Sequence, residues 1–182
     1  KAEGQRNRAI LETLYSCGLR VSELVNLKLS DLYFDEGFIK VEGKGNKQRL
    51  VPISPKAINE IKLYFTDRNQ IEVKSGHEDF VFISPRRGKR LSRIMIFHMI
   101  KELAQQAGIT KNISPHTFRH SFATHLLEGG ANLRAIQCML GHESIATTEI
   151  YTHIDRNVLR SEIIEHHPRN IKYRKEKESL FH

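Results

Sequence analysis

The stretch Ile113–His153 reads I-S-P-H-T-F-R-H-S-F-A-T-H-L-L-E-G-G-A-N-L-R-A-I-Q-C-M-L-G-H-E-S-I-A-T-T-E-I-Y-T-H. Ser114-Pro115 is a helix start, with Ser at the N-cap and Pro at the first helical position. Phe118, Phe122 and Leu126 follow at steps of four, so one apolar face is predicted to run to about Glu128, where Gly129-Gly130 stops it. Asn132 can cap a further helix with Leu133, Ile136 and Leu140 on its core face, and Gly141 ends that one. Ser144 can cap the next, which leaves His142 in a joint between two helices and Tyr151 beyond it. Two imidazoles (His116, His142), a guanidinium (Arg119) and a phenol (Tyr151) within one helical stretch point to phosphate chemistry.

Upstream, the pattern predicts a helix from about Glu3 to Cys17 with Ile10, Leu11 and Leu14 on one face and Gly18 as its C-terminal cap. A short helix over Val21–Asn26 follows, with Arg20 in the joint and flanked by Leu19, Val21, Leu24 and Leu27. An arginine emerging from apolar packing is either a solvated charge or a pre-organised phosphate grip. Leu32–Phe34, Phe38–Val41 and Gln48–Ile53 read as three antiparallel strands, joined by Asp35-Glu36-Gly37 and by the turn Gly43-Lys44-Gly45-Asn46-Lys47. Lys44 therefore sits at a hairpin tip, in a turn that lacks the Walker pattern. A helix over Pro55–Phe65 is expected to turn Ile58, Ile61, Leu63 and Phe65 inward, before a polar loop from Thr66 to Asp79. The basic run S-P-R-R-G-K-R (Ser84–Arg90) is either a phosphate contact or solvated charge. A helix from Ser92 to about Ala107 is expected to bury Ile94, Phe97, Ile100, Leu103 and Ala104, and a final helix spans about Asp155 to Glu165. The fold class is thus α+β, mainly α-helical, with a small three-stranded antiparallel sheet.

The 182 residues are enough for one domain with a real core, and no apolar run approaches the ~20 residues that cross a bilayer. Net charge is +8, from 29 Lys and Arg against 21 Asp and Glu, which favours a polyanionic partner such as nucleic acid. Cys17 and Cys138 both lie in apolar helical patterns, which fits core packing in a cytoplasmic protein. Neither H-E-x-x-H nor C-x-x-C occurs, and no metal or other cofactor is expected. The chain opens on Lys1 inside a helical pattern and reads as part of a longer protein.

His116 and Arg119 are three apart, so they share a helix face near an N-terminus where free N–H groups favour an anion. A neutral imidazole beside a bound phosphate is a candidate general base, and His120 and His125 compete with His116 for that role. A tyrosine that attacks a phosphodiester needs its proton removed, the pentacoordinate charge stabilised and the leaving oxygen protonated. His116, the arginines with His142, and Lys44 could supply these in turn around Tyr151, without a metal.

These residues resemble the catalytic domain of the tyrosine recombinases, or phage-integrase family, and among them the bacterial Xer-type recombinases. The matching pieces are G-L-R-V-S-E-L (Gly18–Leu24), V-E-G-K-G-N-K-Q-R-L-V-P-I (Val41–Ile53), S-P-H-T-F-R-H-S-F-A-T-H-L-L (Ser114–Leu127), L-G-H-E-S-I-A-T-T-E-I-Y-T-H (Leu140–His153) and H-P-R (His167–Arg169). The resemblance implies that Arg20 and Arg119 clamp the scissile phosphate, Lys44 is the general acid for the departing 5′ oxygen, and His116 is the acid/base on the tyrosine. It implies that His142 assists phosphate stabilisation and that Tyr151 is the nucleophile, forming a 3′-phosphotyrosyl link that lets strands rejoin without ATP. The implied partners are double-stranded DNA carrying a specific site and a homo- or hetero-tetramer exchanging strands through a Holliday junction. The helix after Tyr151 would dock in trans, and a DNA translocase or accessory protein is admitted as a further partner. Residues 1–168 would be the catalytic domain and 169–182 a flexible basic tail, with the family's N-terminal core-binding domain outside this chain. Chromosome-dimer resolution and integration or excision of a mobile element both stay open. The rival readings are a type IB topoisomerase and a DNA-binding protein that uses the fold without catalysis.

Overall fold

A computed structural model describes residues 2–109, 113–130 and 165–168. The first helix, α1 (Ala2–Cys17), is the central post of these residues: it packs against α3 (Pro55–Arg68) on one side and α5 (Pro115–Glu128) on another. Ala9, Ile10, Leu14 and Cys17 are fully buried along it, while Leu11 is only partly covered. Burial pushes the Cys17 thiol well above its ordinary range, with the Glu12 carboxylate adding to the effect, so the group is a core residue and not a reactive one. Cys138 lies outside the described residues.

Gly18 closes α1 in the left-handed region (φ 65°), its N–H donating to the Leu14 carbonyl at 3.0 Å. A Cβ at this position would lie 2.4 Å from Cδ1 of Phe122 in α5, so the chain turns here only because nothing projects. Gly18→Ala is expected to lower stability by about 1–3 kcal/mol from overpacking, plus the strain of alanine at positive φ. Urea unfolding monitored by circular dichroism reads the loss directly.

The turn delivers the chain into α2 (Val21–Val25), a 3₁₀ turn (Leu29–Asp31) and a sheet of β1 (Leu32–Tyr33), β2 (Phe38–Glu42) and β3 (Gln48–Pro52) in the order β1-β2-β3. Both pairings are antiparallel; Phe38 faces Pro52 and Glu42 faces Gln48, which fixes the register of the second hairpin. Phe38, Ile39, Val41 and Val51 face the core. The three-stranded sheet expected from the turn residues is present, with β1 one residue shorter than its pattern.

α3 runs three residues past its expected end, to Arg68; Ile61 is buried and Ile58 and Phe65 pack against the core as expected, but Leu63 does not. Leu63 is 51% exposed, and Tyr64 is buried in its place, its ring stacked on Phe82 at 5.6 Å and its hydroxyl accepting from the Ile83 N–H. Arg68 is also buried; its guanidinium donates to the carbonyls of Glu78, Phe80 and Val81 and so ties down the long loop after the helix. The Ser84–Arg90 run is a tight hairpin, with Ser84 N–H donating to the Lys89 carbonyl. Arg86, Arg87, Lys89 and Arg90 are all exposed, and Arg90 is also a strut, bonded to Asn26 and lying over the Phe80 ring at 5.3 Å.

In α4 (Arg93–Gln106) the expectation that Ile94 and Phe97 point inward is overturned: they are 68% and 43% exposed. The buried stripe is Ile96, Met99 and Ile100, with Leu103 packed at its edge. The helix is apolar on more than one side, so periodicity admits two faces and tertiary packing selects one. α5 follows its pattern, with Phe122 and Leu126 buried and Phe118 partly so. Ser114 stands at its N-cap and Pro115 at the first position, but the cap bond comes from the other side: Thr117 Oγ1 accepts from the Ser114 N–H at 3.1 Å. Residues 165–168 return to this helix pair. His167 is fully buried, its ring edge-on to Tyr15 with centroids 4.7 Å apart and also near Phe122. The helices expected after Asn132 and Ser144, most of the one expected over Asp155–Glu165, and the basic tail lie outside the described residues.

Candidate active site

The joint between α1 and α2 places Arg20 at the N-cap of α2 in extended conformation (φ −70°, ψ 151°). Leu19, Leu24 and Val25 around it are buried, which fixes the backbone, and the side chain leaves that packing 39% exposed. Its own N–H donates to Glu23 Oε1 at 2.8 Å, and its Nη1 stands 3.9 Å from Glu23 Oε2. Arg119 reaches the same carboxylate from the first turns of α5, with Nη1 at 3.7 Å from Oε1 and a side chain only 12% exposed. The two arginines singled out at distant points of the sequence therefore meet around one glutamate.

A third guanidinium, that of Arg49, is bound to Glu23 much more tightly. Its Nη1 is hydrogen-bonded to Oε2, and its Nη2 donates to Oε1 at 3.1 Å, a two-point fork from β3 to α2. Glu23 itself is 2% exposed. Burial alone would raise its pKa, but the hydrogen bond and charge of Arg49, with the N–H and charge of Arg20, outweigh it and hold the carboxyl below its ordinary value. The opposite strain appears on Arg119: burial, then the charge of Arg20, lower its pKa to about 10, with Glu23 opposing and Arg49 adding to the fall. It stays protonated at neutral pH. Among the described residues, three guanidinium groups gather around this one carboxylate, an arrangement that suits a bound phosphate.

Lys44 is exposed in the turn Lys44–Asn46 between β2 and β3, where Gly45 and Asn46 both take positive φ (73° and 58°). The turn starts next to the arginine cluster: a Cβ on Gly43 would lie 3.4 Å from Arg49 Nη1 and 3.4 Å from Glu23 Oε2. His116 is exposed in the first turn of α5, one helical turn before Arg119. His120 is also exposed, with Nε2 3.5 Å from Thr124 Oγ1. His125 is committed elsewhere, sharing a 2.7 Å hydrogen bond between its Nδ1 and Tyr15 Oη. His142 and Tyr151 lie outside the described residues. The residues that sequence reasoning missed are Glu23 and Arg49. Glu23 signalled itself as a charge among the apolar residues of L-R-V-S-E-L-V, whereas Arg49 follows the polar run Asn46-Lys47-Gln48 and carried no such signal.

The sequence profile of the phage integrase family matches residues 1–157. The chain belongs to the phage integrase family. Among curated relatives it is similar to the tyrosine recombinase XerD of Chlorobaculum tepidum, 50% identical over 164 residues that cover 90% of this chain and 54% of the relative. The XerD of Staphylococcus saprophyticus is 49% identical over 170 residues, 93% of this chain and 57% of that one. The chain thus spans about half the length of the curated relatives it matches. Among solved structures it resembles a XerA recombinase (TM-score 0.70, 40% identity, 90% of this chain and 57% of that one). It also resembles a XerH site-specific recombinase bound to difH substrate in a pre-cleavage complex (TM-score 0.66, 29% identity, 82% and 43%). The mainly helical α+β fold with its three-stranded sheet is that of the tyrosine recombinase catalytic domain. Among the described residues of this family member, no helix is long and apolar enough to cross a membrane.

Proposed function

We propose that this chain is the catalytic domain of a site-specific DNA recombinase of Xer type. The observation that carries the reading is the meeting of Arg20 and Arg119 around buried Glu23, with the Lys44 turn beginning next to the same carboxylate. In this reading the Tyr151 oxygen attacks the scissile phosphorus and gives its proton to His116. Arg20, Arg119 and His142 hold the charge that builds on the non-bridging oxygens. Lys44 protonates the 5′ oxygen as its bond to phosphorus breaks, leaving a 3′-phosphotyrosine whose bond energy drives rejoining. The reverse steps with a second strand complete the exchange.

Residues 1–168 form the catalytic domain in this proposal and 169–182 a basic tail. The protein acts in the cytoplasm on double-stranded DNA as a tetramer of like or related protomers, with the segment after Tyr151 docked in trans. Relatives named recombinase, and structures described as recombinases on DNA substrates, support this over a type IB topoisomerase or a non-catalytic binder. Nicked suicide duplexes with randomised cores test it. The wild-type chain should form a covalent adduct stable to denaturant, and Tyr151→Phe should form none; no wild-type adduct, or an undiminished one in the variant, overturns the assignment.

A further inference from the structure

Arg49 has no place in the chemistry above, yet it makes the tightest contact in the site. It is 9% exposed, so it sits behind the surface that a DNA strand would meet. It pairs with Val41 across the β2–β3 ladder, at the base of the turn that carries Lys44. The same turn is closed by the Gly43 N–H donating to the Lys47 carbonyl at 2.7 Å, and a Cβ at Gly43 would come within 3.4 Å of both Arg49 Nη1 and Glu23 Oε2. Both oxygens of Glu23 are engaged by Arg49, while Arg20 Nη1 and Arg119 Nη1 stand at 3.9 Å and 3.7 Å, ion-pair and not hydrogen-bond separations.

We propose that Arg49 is a positioning residue for phosphodiester cleavage: its two-point bond to Glu23 fixes the Lys44 turn and keeps that carboxylate from drawing Arg20 and Arg119 off the phosphate. The inference rests on the recombinase reading. A buried carboxylate must be compensated by the cations within reach. With Arg49 present, the fork satisfies it and the two clamp arginines stay at arm's length. Without Arg49, Glu23 turns to Arg20 and Arg119, its nearest remaining cations among the described residues, and competes with the substrate for them. The hairpin also loses its anchor to α2, and Lys44 loses its fixed seat. A displacement of this kind costs rate more than affinity, because geometry about 1 Å out of place lowers a positioned reaction by about 10²-fold.

The test is a set of variants in the full chain: Arg49→Met, Arg49→Lys and Arg49→Met with Glu23→Gln. Each is measured for adduct formation on the nicked duplexes, for duplex affinity and for thermal unfolding. Arg49→Met should slow adduct formation about 10²-fold with duplex affinity nearly unchanged. Arg49→Lys, which keeps the charge and loses the fork, should fall between it and wild type. Neutralising the carboxylate in the same chain should recover adduct formation roughly tenfold over Arg49→Met alone, a coupling that contact between the two residues permits. A purely structural arginine would change adduct formation only in step with the folded fraction, so the rates are compared at a temperature where thermal unfolding shows each variant fully folded. Wild-type cleavage by Arg49→Met, a loss confined to affinity, or an unimproved double variant overturns the proposal. If Arg49→Met does not fold, the lysine variant and the double variant carry the same decision. Should wild type itself form no adduct, the recombinase reading fails, while unfolding still shows whether Arg49 and Glu23 are coupled.

Discussion

Arg119→Met is expected to slow formation of the Tyr151 adduct by roughly 10²–10³-fold, the usual cost of removing one preorganised donor to transition-state charge. The same change is expected to leave thermal stability unaltered or slightly raised. Both directions come from one geometry. Arg119 is largely buried in the company of Arg20 and Arg49, and burial with the Arg20 charge lowers its pKa to about 10. A guanidinium whose folded pKa falls is one whose charged form the fold disfavours. Methionine fills a similar volume without that charge, so the cluster loses repulsion along with its proposed grip on phosphate. This is the trade that functional sites make between stability and activity. Arg119→Lys separates the parts of the effect: it keeps a cation but not the planar fork, and should recover only a minor share of the rate. Single-turnover adduct formation and a melting curve on the same preparations decide it. A rate within a few-fold of wild type for Arg119→Met would remove Arg119 from the phosphate clamp.

What the sequence made legible was local. Gly18, Ser114-Pro115 and the Asp35–Gly37 and Gly43–Lys47 turns carry their own punctuation, and the elements they bound formed where that punctuation placed them. The faces of α3 and α4 were legible only in part: Ile61 and Ile100 are buried as expected, but Leu63, Ile94 and Phe97 are exposed. Leu63 and Ile94 are better core formers than Tyr64 by composition alone, yet Tyr64 is buried, its hydroxyl meeting the Ile83 N–H 19 residues on. No window of sequence contains that partner. The site divides in the same way. Arg20, Lys44, His116 and Arg119 were readable as residues in recognisable motifs, and the meeting of the two arginines follows from α1 and α5 packing side by side. The Glu23–Arg49 fork joins positions 26 apart on different elements, and neither periodicity nor spacing encodes it. His125 shows the converse. It sits on the same short helix as His116, and only its bond to Tyr15 shows that it serves the packing of α1 on α5.

Glu23→Leu is expected to cost about 3–5 kcal/mol of unfolding free energy at neutral pH, because it strands the buried Arg49 guanidinium without its partner. Removing both charges, as Glu23→Leu with Arg49→Met, should recover most of that loss, since an apolar pair of similar volume leaves nothing unsatisfied. The wild-type pH profile carries the same signature with a definite sign. The folded Glu23 carboxyl is held below the ordinary glutamate value of 4.5, chiefly against its own burial and by Arg49. A depressed carboxyl binds fewer protons in the folded state than in the unfolded one, so its contribution is fully present above about pH 4.5. It disappears as pH falls from there through the lower folded value. Glu23→Leu should therefore be less stable at neutral pH yet lose less on acidification than wild type, and the two curves should converge. Urea midpoints taken across that window measure it. If the curves instead stay parallel down to the acid limb, the carboxylate is not the charge that holds these arginines together, and the site must be organised around another group.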